Sequence, residues 1–150
     1  MPDKTISQNR KAYFDYEVLE SQEVGMVLTG TEIKSIREGR VNLRDAYARI
    51  ENGEAWLLGV HISPYAQGNR NNHEPTRRRK LLLHRKQIVE LAAQTAQRGF
   101  SLVPLKLYLK DGRAKIELGV VRGKRQYDKR ETIAQREADR EMERAIRQAR

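Results

Sequence analysis

The chain has 150 residues, enough for one domain with a buried core that needs neither disulfides nor metal. Lys and Arg number 30 against 20 Asp and Glu, a formal charge of +10, which points to a polyanionic partner: nucleic acid first, an anionic membrane second. Cysteine is absent, which excludes disulfide frameworks and thiolate metal centres and fits a reducing compartment.

Residues 1–11 are polar, without the apolar run of an export signal, and no stretch approaches the roughly 20 apolar residues that span a bilayer, so a cytoplasmic protein is expected. Residues 13–19 and 24–28 are rich in aromatic and β-branched side chains and read as two strands or one bent strand. Thr31 then suits a helix cap, Ile33 and Ile36 share a helical face, and Gly39 suits the stop, predicting a short helix. Strands are predicted at 45–51 and 55–62, joined at Asn52-Gly53, a dipeptide that accepts the positive φ of a tight hairpin. Residues 63–76 hold Pro64, Gly68 and Pro75 without periodicity and predict an exposed loop.

After Leu81, Leu82 and Leu83, apolar residues recur at helical spacing from His84 through Ile88, Leu91, Ala92 and Thr95 to Gly99, predicting a helix of about four turns. Residues 103–109 and 114–121 alternate apolar and polar around a Lys110-Asp111-Gly112 turn, a closing hairpin. Beyond that the composition shifts: residues 122–150 hold ten Lys or Arg, six Asp or Glu and one aromatic. Ala138, Met142, Ala145 and Ile146 make only a narrow helical stripe, so this basic tail is expected to be disordered alone and helical when docked. About six strands and two to three helices imply a mainly β domain with some α, an oligonucleotide-binding-type closed β-barrel over residues 1–121, followed by the tail at 122–150.

The run Arg77, Arg78, Arg79, Lys80, with Arg85 and Lys86 behind it, concentrates like charges that phosphates would relieve. A solvated basic face is the ordinary alternative, but further clusters stand at Asn9, Arg10 and Lys11, at Lys34, Arg37 and Arg40, and at Arg122, Lys124 and Arg125. Separated clusters suit a folded RNA better than one short strand. Asn9, Arg10, Lys11, Lys34, Arg77, Arg79 and Lys80 are therefore the expected contacts on the barrel. Tyr127 sits among charges with nothing apolar to bury it and could stack on a base, whereas Tyr13, Phe14, Tyr16, Tyr47, Trp56 and Tyr108 sit in strand patterns and are expected in core or half-core positions. His61, His73 and His84 lack metal-ligand spacing, the glycines match no phosphate loop, and Glu32 and Asp45 would pair only by accident of folding. No cofactor, metal or catalysis is expected.

Asn9-Arg10-Lys11-Ala12, GTEIKSIREGRVNLRDAYARI at 30–50, His61-Ile62-Ser63-Pro64-Tyr65, TRRRKLLLHRKQI at 76–88, Val103-Pro104-Leu105-Lys106-Leu107-Tyr108 and GVVRGKRQYDKRETI at 119–133 together resemble the SsrA-binding protein (small protein B) family. The resemblance spans nearly the whole chain. It implies a monomeric barrel that binds the transfer-RNA-like domain of transfer-messenger RNA (tmRNA) and brings it to stalled ribosomes, where the nascent chain is tagged. Glu23, Leu82 and His84 fall where the family places residues needed for RNA binding. Lys124, Arg125, Tyr127, Asp128, Lys129 and Arg130 fall on the tail motif that meets ribosomal RNA, and Met142 and Ile146 on the part linked to accommodation in the messenger channel. Relatives commonly have histidine at the place of Tyr127, and the place of His84 is often taken by another polar residue.

Overall fold

The computed structural model describes residues 4–68, 72–123 and 126–148. In chain order these form β1 (Lys4–Gln8), α1 (Arg10–Asp15), β2 (Tyr16–Met26), α2 (Gly30–Arg37), β3 (Val41–Asn42), β4 (Tyr47–Glu51), β5 (Glu54–Leu58), β6 (His61–Ile62), β7 (Arg79–Leu82), α3 (Arg85–Thr95), β8 (Phe100–Lys110), β9 (Arg113–Gly123) and α4 (Gln126–Gln148). The protein is mainly β, with a large antiparallel sheet whose strands follow one another as β8, β4, β5, β7, β2 and β9, and whose β8–β9 pairing closes them into a ring. β1 lies outside the ring, paired with the far half of β8, and β3 and β6 form a separate two-stranded ribbon.

Both predicted hairpins form for the stated reason. Asn52 and Gly53 adopt φ of 51° and 74°, Asp111 and Gly112 φ of 51° and 77°, so each two-residue turn matches the twist of its strands. Elsewhere local chemistry overrides pattern. Tyr13 and Phe14 lie in α1 rather than a strand, because Asn9 accepts the Ala12 N–H at 3.1 Å and starts a helical turn. Of the two readings of 13–28, the single bent strand is the one that forms: β2 runs Tyr16–Met26 with a bulge between Val18 and Glu20. The cap of α2 is Thr29, not Thr31: its hydroxyl accepts the Glu32 N–H while Glu32 accepts the Thr29 N–H at 2.9 Å, a reciprocal capping box. The second hairpin strand stops at Leu58, since Gly59 (φ 79°) lies 3.0 Å from the Asp45 carbonyl where a Cβ would stand, and β6 turns away to β3. α3 runs 11 residues, three turns rather than four.

Inward residues of the ring, among them Val24, Leu57, Leu81, Leu107, Ile116 and Leu118, build the core with Ile36 of α2 and Leu91 of α3. Ala12, Val103, Leu105 and Val121 make a smaller cluster beneath α1.

One polar group is sealed into this interior. Glu32 is fully buried, and Arg79, 0% exposed, donates Nε–H to its Oε2 at 2.6 Å. The same guanidinium donates to the carbonyls of Val60 at 2.7 Å and Pro75 at 3.1 Å, while Arg77 donates to Oε1 of Glu32. The guanidinium thereby ties the chain just before β6 to the stretch just before β7. His73, also buried, lies 2.8 Å from both the Ile62 carbonyl and the Thr31 hydroxyl, and Ser35 donates to the Ser63 carbonyl at 2.6 Å. The predicted exposed loop is, over its described residues, pinned to α2.

Burial alone would raise the Glu32 carboxyl; the hydrogen bonds from Arg77, the Thr29 N–H and Arg79 outweigh it and hold the group below its ordinary value of 4.5. Arg79→Ala leaves Oε2 of that buried carboxylate without its partner and should destabilise the protein by about 3–5 kcal/mol in urea unfolding. Removing the exposed Arg78 should change it by about 1 kcal/mol or less. Because the folded-state pKa of Glu32 is depressed, its stabilisation is present above about 4.5 and fades as the pH falls through the folded value. A Glu32→Gln variant should therefore show a flatter acid limb than the parent in stability measured from pH 7 to 3.

Candidate nucleic-acid interface

Strand alternation divides the basic run. Arg79 faces inward and has no surface left for a partner, so its expected place among the RNA contacts is corrected: it is an internal brace of the ring. Arg78 and Lys80 point outward but are engaged. Arg78 donates to Glu51 at 3.0 Å and lies 4.1 Å from the centroid of Trp56; Lys80 reaches Glu54 at 3.4 Å. Arg77 keeps part of its surface beside its bond to Glu32. Four adjacent charges in the sequence are thus distributed over three carboxylates rather than massed on one face.

Asn9 is corrected in the same way. It is 2% exposed, and its amide donates to the carbonyls of Leu43 at 3.1 Å and Pro104 at 3.0 Å while its oxygen caps α1. It positions Arg10 and Lys11 instead of offering itself. Lys11 pairs with Asp45 at 2.7 Å on the surface, and among the described residues Arg10 has no acidic partner. Lys34 stands 5.5 Å from the Tyr65 centroid. Arg37, Arg85 and Lys86 are exposed without an acidic partner among the described residues.

Glu23 is far from Leu82 and His84 in sequence, but pairing of β2 with β7 brings its strand beside theirs. In β2 the residues Val24 and Met26 point into the core, so Glu23 and Gly25 face out, and Gly25 pairs with Leu82 of β7. Leu82 is 55% exposed and leans over Gly25, where a Cβ would stand 3.4 Å from its Cδ1. His84 follows at the start of α3, its N–H donated to Gln87 at 2.9 Å. The Tyr108 hydroxyl, then Lys110 and Lys115, hold the Glu23 carboxyl below its ordinary range, so it is a charged acceptor at neutral pH. This outer β2–β7 seam therefore carries an acceptor, an apolar contact and a ring, with Arg85 and Lys86 one turn away. That combination suits base edges and a backbone together.

The aromatic expectations divide. Tyr108 is buried and Trp56 half-covered by Arg78, but Tyr13 and Tyr47 are exposed, because one belongs to a surface helix and the other starts β4 on its outward side. Tyr47 borders a surface hollow of about 570 Å³ between β4, β8, α1 and the end of α3. Its lining draws on stretches singled out in the sequence, Asn9-Arg10-Lys11-Ala12 among them, but nothing in the sequence brings them together, since the hollow exists only where two distant strands part.

Of the tail residues, Lys124 and Arg125 lie outside the described residues, as do the side chains of Tyr127, Asp128, Lys129 and Arg130. Met142 and Ile146 are exposed on α4, and Arg136 of that helix stands 6.0 Å from the Phe14 ring of α1. Among the described residues no cluster of His, Cys, Asp or Glu could hold a metal ion, and no helix is long and apolar enough to cross a membrane.

Comparison with known proteins gives a consistent kinship. The family model described as SmpB protein matches residues 6–148. The chain is 65% identical over 144 residues to the SsrA-binding protein of Desulfitobacterium hafniense, covering 96% of this chain and 92% of that one. It is 61% identical over 145 residues to the SsrA-binding protein of Carboxydothermus hydrogenoformans, covering 97% of each. Among solved structures, a chain from "tmRNA-SmpB: a journey to the center of the bacterial ribosome" superposes with a TM-score of 0.68 at 44% identity, over 85% of this chain and 93% of that one. With a matching fold, a match over nearly every residue and the β2–β7 seam in place, the chain belongs to the SmpB protein family.

Proposed function

We propose that the chain binds the transfer-RNA-like domain of tmRNA and carries it to stalled ribosomes, acting in trans-translation by binding and without catalysis. The observation that carries this reading is the 65% identity to an SsrA-binding protein over 96% of the chain. The chemistry of the surface supports it: a +10 protein whose free cations are spread over several elements suits the shape of a folded RNA. Among the described residues the one deeply buried carboxylate, Glu32, is held by two arginines and is not poised as an acid or base.

In this reading the ring is an oligonucleotide-binding-type barrel and residues 1–121 are its domain. Glu23, Leu82 and His84 meet the RNA, flanked by Arg10, Lys11, Lys34, Arg77 and Lys80. Residues 122–150 form a separate basic tail, loose when free, in which Lys124, Arg125, Tyr127, Asp128, Lys129 and Arg130 meet the ribosome and Met142 and Ile146 seat the helix in the messenger channel. The protein works in the cytoplasm as a monomer.

Affinities for the transfer-RNA-like fragment and for a folded control RNA of equal length, at matched salt, test the specificity. The fragment should bind at least tenfold more tightly, about 1.4 kcal/mol; equal affinities would favour a protein that holds ribosomal RNA as a structural component. Leu82→Asp should weaken fragment binding by more than tenfold while leaving the melting temperature within a few degrees, because the side chain is mostly exposed.

Deleting residues 128–150 should leave fragment affinity within tenfold and abolish tagging in a reconstituted translation assay. Tyr127→Ala should reproduce part of that loss; full tagging by this variant would remove Tyr127 from the ribosome-facing set.

A further inference from the structure

A tyrosine that only filled space would need no hydroxyl, and a buried one needs a partner for it. Tyr108 of β8 is 7% exposed although it stands on the outer side of the ring. A bulge between Pro104 and Lys106 resets the alternation of β8, so Leu107 enters the core and Tyr108 faces out between Lys106 and Lys110. β1 lies alongside, with Thr5 opposite Tyr108, and the Lys106 ammonium stands 5.5 Å from the ring centroid. The ring is thus held from two sides, and its hydroxyl has little freedom of direction.

That hydroxyl donates to the carboxylate of Glu23, two strands away. In the local order β8, β9, β2, Tyr108 is opposite Lys115 and Lys115 is opposite Gly25, while Glu23 is opposite Glu117. Neighbouring strands are about 4.8 Å apart, so β8 and β2 are about 10 Å apart, a span that a tyrosine ring and a glutamate arm close together and a serine or threonine would not. Glu23 needs such a hold. Directly opposite stands Glu117, and like charges facing each other across two strands repel. Glu117 is answered by Lys106 at 3.6 Å; Glu23 has Lys110 at 3.3 Å, a flexible, exposed point charge that attracts the carboxylate without fixing its direction. The Glu23 side chain keeps 37% of its surface, and with Tyr108 it lines a hollow of about 260 Å³. One hydrogen bond from a buried ring therefore orients the carboxylate while leaving it open to a partner.

We propose that Tyr108 is a positioning residue of the RNA-binding seam: its hydroxyl, reaching across β9, fixes the direction in which Glu23 accepts hydrogen bonds from RNA. The inference rests on the reading that Glu23 meets the transfer-RNA-like fragment. A carboxylate fixed before the RNA arrives has less freedom to lose on binding, so the hydroxyl acts on affinity without touching RNA itself.

Tyr108→Phe keeps the ring and removes only the hydroxyl. Fragment binding by the full chain should weaken about fivefold, with the melting temperature within a few degrees of the parent. Glu23→Gln should weaken binding more, and adding Tyr108→Phe to it should change affinity by less than about twofold, since the hydroxyl acts through the carboxylate. In the free full chain, the titration midpoint of Glu23, followed by NMR of its labelled side-chain carboxyl carbon, should rise in Tyr108→Phe because the hydroxyl favours the charged form. Parent-like binding by Tyr108→Phe or by Glu23→Gln overturns the proposal. An unmoved Glu23 titration overturns it too, as does a loss as large in the Glu23→Gln background as in the parent, the result a merely less stable variant would give. Equal affinity of the parent for the fragment and for control RNA removes the proposed function instead; the titration, which needs no RNA, and the same cycle run on the control RNA then decide the part played by Tyr108.

Discussion

The ion-paired carboxylate of Glu32 is the constraint around which the rest of the chain is arranged. A carboxylate out of water is unfavourable unless every lone pair is met, and here the partners come from α2 itself, from the segment before β7 and from β7. Satisfying it requires Arg79 to point inward, which sets the register of β7, and β7 bridges β5 and β2 in the ring. The same guanidinium holds the Val60 and Pro75 carbonyls, so the irregular stretch between β6 and β7 is located by the interior rather than by its own turns. Leu82, three residues on, then has no choice but to face out over Gly25. The chemistry of the proposed RNA-binding seam is in this sense a consequence of a charge buried on the other side of the strand.

Hairpins, the second helix and the mainly β character were legible because each depends on a few neighbouring residues. Asn52-Gly53 and Asp111-Gly112 are almost self-sufficient statements about φ, and the helical spacing from Ile88 to Thr95 needs no partner to be recognised. What was not legible depends on residues far apart. Asn9 and Arg79 look like surface cation-cluster members until the carbonyls of Leu43, Pro104 and Val60 are brought beside them. β1 and β3 were not expected as strands and exist because β8 and β6 offer them an edge. The candidate site divides likewise: Glu23, Leu82 and His84 were placed by family resemblance and found together on one seam, whereas Tyr47 was read as a packed strand residue and Arg44 was not singled out, because the hollow beside them is a property of how β4 and β8 diverge.

Charge is organised by pairing as much as by accumulation. Glu51 and Glu54 answer Arg78 and Lys80 across neighbouring strands, and Arg122 meets Glu17 on β2, so much of the net +10 resides in the cations that lack such answers. Exposed pairs of this kind contribute little to stability. Their larger effect is selective, since they leave the potential concentrated around Arg10 and Arg44, around Lys34 and Arg37, and at the start of α3.

The order in which the strands close the ring also bears on how the chain is made. β2 is complete by Met26, yet its main partner, β9, begins only at Arg113. At a synthesis rate of about 5–20 residues per second this strand waits roughly 4–17 s for its neighbour, and contacts of such long span also slow folding from solution. An unpaired strand of 11 residues is an invitation to aggregate. β2 answers with Glu17, Glu20 and Glu23 on its exposed positions, so acidic residues that later meet Arg122, Gln94 and Lys110 first serve as guards on a nascent edge.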